Sequence, residues 1–105
     1  MFVYKQFLKE DLPNCPRPDV DLVFGTTGAL GGIMYCDSTE FDSINVHDDQ
    51  EGFLVLEGHG QFYADGEIVD VGPDMALLIT CGVKHCFRKN PDSPDMKVFY
   101  FHAAN

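Results

Sequence analysis

The chain has 105 residues, of which 45% are hydrophobic and 12% aromatic, so it can bury one core but is too short for several domains. Its 17 acidic and 7 basic residues give a net charge of -10 spread along the chain, which argues against nucleic-acid binding because phosphate contacts need clustered lysines and arginines. No apolar stretch approaches the roughly 18 residues of a membrane span, and the first residues do not resemble a signal peptide, so we expect a cytoplasmic protein with no membrane partner.

The amino-terminal region and the cysteines are the least informative parts of the sequence. Residues 2–8 are compatible with a strand or a short helix, and residues 11–19 contain three prolines, which favours an extended loop or arm. The cysteines show no Cys-x-x-Cys spacing, so neither a zinc knuckle nor a redox pair is indicated, and we expect buried free thiols. The four positions are Cys15, Cys36, Cys81 and Cys86, of which the last two flank a histidine and are the candidate exceptions.

Turn signals recur at short intervals from residue 25 to residue 94, and no long helical pattern fits between them. Closely punctuated short strands predict an all-β barrel or sandwich. Asp65-Gly66 separates two apolar-containing runs over residues 61–71, a strong signal for a tight hairpin whose turn residues adopt positive φ. Residues 53–56 and 75–79 are almost continuously apolar, which predicts strands covered on both faces, and residues 98–101 close the chain similarly.

Two histidines and one carboxylate stand out as candidate metal ligands. Asn45 and His47 share a face of an extended segment, and Glu51 joins them if the backbone stays extended. His85 must come from another strand, and Gly82 shortly before it allows a tight entry turn. Two imidazoles and one carboxylate form the set that leaves a divalent transition metal with open coordination positions.

At these residues the sequence resembles the cupin superfamily over roughly residues 30–103. The first family motif is matched by His47, Glu51 and Gly58 at the expected spacings, and the second is matched by Gly82 and His85. The resemblance implies an all-β fold, a single double-stranded β-helix (jelly-roll-like) barrel, within one domain over residues 1–105 that begins with an arm over residues 1–20. Four positions depart from the family pattern: Asn45 replaces the first histidine, Thr80 the proline and Lys89 the asparagine, and the early glycine is displaced to Gly72.

The resemblance also implies a metal site of His47, Glu51 and His85, with Asn45 as a weak amide ligand or as a hydrogen-bond donor to bound water or substrate. Fe, Mn, Ni and Zn are all compatible. The primary hypothesis is an enzyme that acts on a small oxygen-rich organic molecule as a dioxygenase, isomerase or lyase. The alternatives are a binding module for a small organic acid or sugar, with a degenerate metal site, and a metal-free accessory subunit.

Several further residues are assigned with less support from the sequence. His102 follows Val98 and Tyr100 on one face of the last strand, which makes it our candidate catalytic residue for proton transfer, although an exposed terminal-strand histidine would give the same pattern. Asp48, Asp49 and His59 are expected at the surface. Three residues are possible pocket-lining groups of undecided direction: Tyr35, Gln61 and Tyr63. We expect a homodimer, through one sheet or an exchanged segment 2–8.

Overall fold

The computed structural model describes residues 2–3 and 19–104, and this part of the chain contains eight strands and no helix. None of the described residues belongs to a helix long and apolar enough to cross a membrane. The strands are β1 (Asp19–Phe24), β2 (Leu30–Cys36), β3 (Gln50–Glu57), β4 (Gly60–Ala64), β5 (Glu67–Val71), β6 (Ala76–Ile79), β7 (His85–Lys89) and β8 (Met96–Ala103). The segment predicted over residues 2–8 and the arm predicted over residues 11–19 lie almost entirely outside the described residues.

The strands form two antiparallel sheets, which confirms the predicted all-β fold. One sheet has five strands in the order β1-β2-β8-β3-β6, and the other has three in the order β5-β4-β7. β1 and β2 are consecutive in sequence, but the other neighbours in the larger sheet are distant, since β8 lies between β2 and β3. This order brings the end of the chain beside the strand that carries the first predicted motif.

The predicted hairpin at Asp65-Gly66 is confirmed. β4 and β5 pair directly across it, from Ala64 opposite Glu67 outward. Asp65 has φ 54° and Gly66 has φ 76°, so both central residues occupy the left-handed region that a two-residue hairpin turn of this hand requires. Local turn chemistry therefore fixes the register of this pair.

The core lies between the two sheets, and aromatic residues dominate one part of it. The rings of Phe53, Phe62 and Phe87 pack together with centroid separations of 4.5 to 5.5 Å. Val55 and Val98, paired across β3 and β8, are fully buried beneath the same sheet. Burying side chains of this size contributes roughly 1.5–3 kcal/mol each.

The expectation that both faces of the two apolar runs are covered is wrong. Leu54 on β3 is 39% exposed and Leu78 on β6 is 63% exposed, while Phe53 and Ile79 point into the core. The outer face of the larger sheet has no layer packed on it within the described part of the chain, so alternate side chains of β3 and β6 face outward. Phe101 lies on the same outer face, where its ring covers Gly52.

Candidate metal centre

Main-chain pairing brings the predicted ligands together from three separate segments. Asn45 and His85 form two backbone hydrogen bonds, of 2.9 and 3.0 Å, which hold the segment before β3 against the start of β7. The amide of Gly82, in the turn before β7, donates to the His47 carbonyl oxygen at 2.9 Å. Gly82 has φ 80°, which glycine adopts without a steric cost. The predicted tight entry turn is therefore present and is tied to the first motif.

The register of β3 and β8 adds a third histidine to this group. Glu51 lies directly opposite His102 in the antiparallel pair. Residues opposite each other in such a pair have side chains on the same face and in contact distance. His102 therefore faces the same interior as Glu51.

All three imidazoles contact the carboxylate of Glu51, which is buried. The Nε2 atoms of His47 and His85 lie 2.9 and 3.1 Å from Oε1, and Nε2 of His102 lies 3.1 Å from Oε2. The ring centroids of His85 and His102 are each 5.0 Å from that of His47. The carboxylate is thus surrounded by three rings that present the same nitrogen.

The second nitrogen of each ring lies close to an oxygen. Nδ1 of His85 donates to the main-chain carbonyl of Val83 at 2.9 Å, and Nδ1 of His102 lies 3.0 Å from Oδ2 of Asp49. Nδ1 of His47 lies 2.5 Å from Oδ1 of the same aspartate, although off the axis of a hydrogen bond, and both atoms are buried. Acceptors on Nδ1 favour the tautomer whose Nε2 is free to bind a metal.

The electrostatics of the metal-free cluster favour a charged His85. Burial by itself lowers the pKa of His85, but the hydrogen bonds to Glu51 and to the Val83 carbonyl, together with the negative charge of Glu51, outweigh it and raise the pKa above the ordinary histidine value. Because an ionised carboxylate only accepts hydrogen bonds, Nε2 of His85 must carry a proton to bond Glu51. Metal binding at this nitrogen must displace that proton.

The donor set fits a divalent transition metal. Nitrogen and oxygen ligands bind such ions at about 2.0–2.2 Å, which places adjacent ligands at right angles about 3 Å apart. The separations of 2.9 and 3.1 Å between Glu51 and the histidines match that spacing. The donor atoms of His47, Glu51 and His85 all lie within 4.8 Å of one another. A second group with the same property comprises His47, Asp49 and His102.

A cavity of about 550 Å³ adjoins the cluster, within the range typical of small-molecule sites. Asn45, Glu51, His85 and His102 line it, whereas His47 is not among its lining residues. Its other described walls are largely aromatic and acidic: Tyr35, Phe53, Phe87, Tyr100, Asp21, Asp37 and Asp42. Ligand positions on the cavity side of the cluster would therefore face a space that can hold a small molecule.

Some of the remaining predicted site residues border the cavity, and others do not. Asn45 lies directly opposite His85, so its side chain lies on the same sheet face, beside the cavity. Tyr35 lines the cavity, whereas Gln61 and Tyr63 are not among its lining residues. Gln61 instead accepts a hydrogen bond from Arg88. The metal-ligand role of Asn45 and the catalytic role of His102 stay predictions from the sequence.

The sequence interpretation missed Asp49. We expected Asp48, Asp49 and His59 at the surface, and Asp48 and His59 are exposed, but Asp49 is only partly exposed and contacts both His47 and His102. The available signal was its spacing, because Asp49 lies two residues from both His47 and Glu51. Asp48 and Asp49 form a bend immediately before β3, and only the second carboxylate turns inward.

The cysteines within the described residues differ in burial. Cys36 and Cys86 are buried free thiols that line the cavity, whereas Cys81 is exposed. Burial raises the pKa of both buried thiols. Of the two candidate exceptions to burial, Cys81 is one and Cys86 is not, while Cys15 lies outside the described residues.

Comparison with solved structures shows the same fold in proteins of low sequence identity. The chain superposes with a TM-score of 0.71 on a Bacteroides fragilis cupin protein, at 19% identity over 99% of this chain and 86% of that one. It superposes with a TM-score of 0.73 on the Cnp3 cupin domain of Schizosaccharomyces pombe, at 14% identity over 83% of this chain. The TM-score is also 0.73 for FeII HppE in complex with substrate, at 14% identity over 86% of this chain.

At these identities the structural likeness shows the fold alone. The chain spans 60% of the Cnp3 cupin domain chain and 55% of the HppE chain. A comparison with curated proteins gives no significant match. The family model described as a cupin domain matches residues 38–102, which include the described cluster from Asn45 to His102. The match covers more than half of the sequence, and the chain therefore belongs to the cupin domain family.

Proposed function

We propose that the protein is a metal-dependent cupin enzyme in which His47, Glu51 and His85 hold a divalent transition metal, namely Fe, Mn, Ni or Zn. The observation that carries the proposal is the position of Glu51, buried and in contact with two Nε2 atoms from different segments. A bound ion would act as a Lewis acid that polarises a substrate oxygen. The fold neighbour HppE, whose structure holds FeII and substrate, supports this class of function.

The residues around the site have separate tasks in this proposal. The Val83 carbonyl holds the His85 ring in the orientation that presents Nε2 to Glu51. Phe53 and Phe62 pack against the same ring, with centroid distances of 6.0 and 6.3 Å, and exclude water from its apolar side. A ligand nitrogen that is fixed in this way loses little freedom when the ion binds, which favours affinity.

The charge of the cavity walls narrows the substrate class. The described lining residues include the carboxylates of Asp21, Asp37, Asp42 and Glu51, but no lysine or arginine. Such walls repel anions. We therefore propose a neutral, hydroxyl-bearing molecule in preference to a free organic acid, with dioxygenase, isomerase and lyase reactions all compatible with that class.

Metal analysis of the protein after anaerobic reconstitution tests the proposal. Fe(II), Mn(II), Ni(II) and Zn(II) are supplied separately, and the bound metal is measured after removal of the excess. We expect one tightly bound ion per chain in the wild-type protein and in His59→Ala, which removes an exposed histidine outside the cluster. His85→Ala should lose the ion. A folded wild-type protein that retains none of the four metals would refute the proposal.

A non-catalytic binding module is the second candidate, and Asn45 favours it. This residue stands where the family pattern has a ligating histidine, and an amide oxygen binds first-row transition metals less well than an imidazole. In a binding module, a hydroxyl-bearing ligand identified by thermal-shift screening should bind equally well to His47→Ala and His85→Ala. In the enzyme, both variants should weaken that binding because the ion contacts the ligand.

Three further parts of the proposal rest on the sequence. We propose one domain over residues 1–105, a homodimer, and a cytoplasmic site of action without nucleic-acid or membrane partners. The acidic net charge of -10 supports the absence of nucleic acid. Light scattering can test the homodimer.

A further inference from the structure

Glu51 has three imidazole neighbours, one more than the proposed two-histidine site uses. Nε2 of His102 lies 3.1 Å from Oε2 of Glu51, and Nε2 of His85 lies 3.1 Å from Oε1. This spacing is that of adjacent ligands around a first-row metal ion. The distance from His102 to Glu51 therefore fits a shared ion as well as the distance from His85 to Glu51 does. It also borders the same cavity.

Asp49 explains why His102 presents this nitrogen. Its two oxygens lie 3.0 Å from Nδ1 of His102 and 2.5 Å from Nδ1 of His47. Oδ2 of Asp49 accepts the Nδ1 proton of His102, and Oδ1 contacts the His47 ring without a hydrogen bond, so both rings are held with Nε2 turned toward Glu51. One aspartate thus orients two of the three imidazoles.

Asn45 leaves a ligand position to be filled. The family pattern has a histidine there, and the amide that replaces it is a weaker donor. His102 lies outside both family motifs, on β8, yet the β3–β8 register places it directly opposite Glu51. The chain therefore keeps three imidazoles in contact with one glutamate, two of them at Oε1 and His102, from a different strand, at Oε2.

We infer that His102 is the third imidazole ligand of the metal site, in place of the histidine that Asn45 replaces, and that Asp49 is the positioning residue for His102 and His47. The inference rests on the proposed metal site and deepens it. With Nε2 bound to the ion, His102 is not free to transfer protons, so this assignment replaces the proton-transfer role predicted from the sequence.

Nitrogen-resolved NMR of the wild-type protein tests this inference directly. The chain has four histidines, so a protein labelled with ¹⁵N-histidine gives a simple long-range ¹H–¹⁵N spectrum that separates Nδ1 from Nε2 in each ring. Single histidine-to-glutamine variants assign the signals. One equivalent of Zn(II), which is diamagnetic, is then added to protein freed of metal with a chelator.

The expected result is a metal-induced shift of three Nε2 signals, those of His47, His85 and His102, with His59 unchanged as the internal reference. If only His47 and His85 shift, the inference is wrong although the proposed metal site stands. If no histidine shifts, the proposed metal site fails and the inference with it. The wild-type spectrum decides among these results without any variant that has to bind metal.

Zinc affinity measured by calorimetry tests the two roles separately. His102→Gln should weaken zinc binding, whereas Asn45→Ala should leave it unchanged, and the reverse order would overturn the ligand assignment. Asp49→Asn should weaken zinc binding by about 10- to 100-fold, the usual effect of losing a carboxylate partner of a ligating histidine. Asp48→Asn removes the same charge from the neighbouring exposed position and is the matched control.

A purely structural role for Asp49 would leave the histidine tautomers unchanged. In the metal-free Asp49→Asn protein we expect the Nδ1 signals of His47 and His102 to shift, since a neutral amide replaces the anionic carboxylate beside both rings, while Nδ1 of His85 keeps its bond to the Val83 carbonyl. Unchanged Nδ1 signals in His47 and His102 would overturn the positioning role.

Discussion

Glu51→Gln provides a pH-dependent test of the charge arrangement in the metal-free protein. Glu51 is 7% exposed and contacts three imidazoles, of which the ring of His85 is the most deeply buried. Removing one partner of a buried ion pair costs about 3–5 kcal/mol because the other charge is left unpaired. His47 and His102 are partly exposed and screened by water, so we count only His85 and expect a loss of about 3 kcal/mol at acid pH.

The sign of the pH dependence follows from the raised pKa of His85. A histidine whose pKa is higher in the folded state stabilises the fold fully below its unfolded pKa of about 6.5, and that contribution disappears as the pH rises through the folded value. Glu51→Gln should therefore cost most near pH 5.5. As the pH rises through the raised pKa of His85 this charge is lost, so near pH 9 the cost should be smaller and approach about 1 kcal/mol, the worth of one hydrogen bond.

Urea unfolding in the presence of a chelator, followed by circular dichroism because the chain lacks tryptophan, measures both values. Glu57→Gln is the matched control, because it makes the same charge change on the same strand, at a partly exposed carboxylate 3.0 Å from Lys97. Because Lys97 is itself buried, this change also leaves a charge without its partner, but its cost should be equal at both pH values. A Glu51→Gln cost that is the same at both pH values, or larger near pH 9, would refute the reasoning.

Three further predictions concern other parts of the molecule. Gly60→Ala should destabilise the fold by at least about 2 kcal/mol in the same urea assay, since the added Cβ would lie 1.9 Å from a main-chain oxygen of β7. Gly52→Ala should cost less, because its Cβ would contact the side-chain ring of Phe101, which can move. Cys86, whose pKa burial raises, should react with iodoacetamide more slowly than exposed Cys81, as followed by mass spectrometry; equal rates would contradict its burial. Light scattering should give the mass of a homodimer, and an unchanged dimer after deletion of residues 1–12 would exclude an exchanged amino-terminal segment.

Features that depend on local chemistry were predictable from the sequence. The Asp65-Gly66 turn was found because two adjacent residues with positive φ dictate a tight hairpin, whatever surrounds them. The meeting of His47, Glu51 and His85 was expected because the spacing of these residues resembles the cupin motifs, and the resemblance implies the barrel that joins them. Where a short motif encodes both the turn and the direction of the side chains, no knowledge of the remaining strands is needed.

Features that depend on strand order and sheet packing were not predictable. The apolar run that forms β6 predicts a strand covered on both faces, but the outer face of its sheet carries no packed layer in the described part of the chain and exposes Leu78. The contact of His102 with Glu51 depends on β8 pairing with β3, a choice that no local pattern in either strand specifies. Asp49 was missed for a different reason. Its two-residue spacing from Glu51 indicated a shared face, but in a chain with so many acidic residues a surface position was the ordinary expectation.

The arrangement of the cluster implies that protons and metal compete for the same atoms. Each of the three Nε2 atoms faces an oxygen of Glu51, so an ion bound by these atoms would take the place of any protons held between the rings and that carboxylate. An ion that replaces those protons would join the segment before β3 to β7 and, through His102, to β8. Metal binding would then stabilise the folded state over the unfolded one, since the unfolded chain does not hold these donors together. A site assembled from separate segments thus couples the integrity of the barrel to the occupancy of its metal.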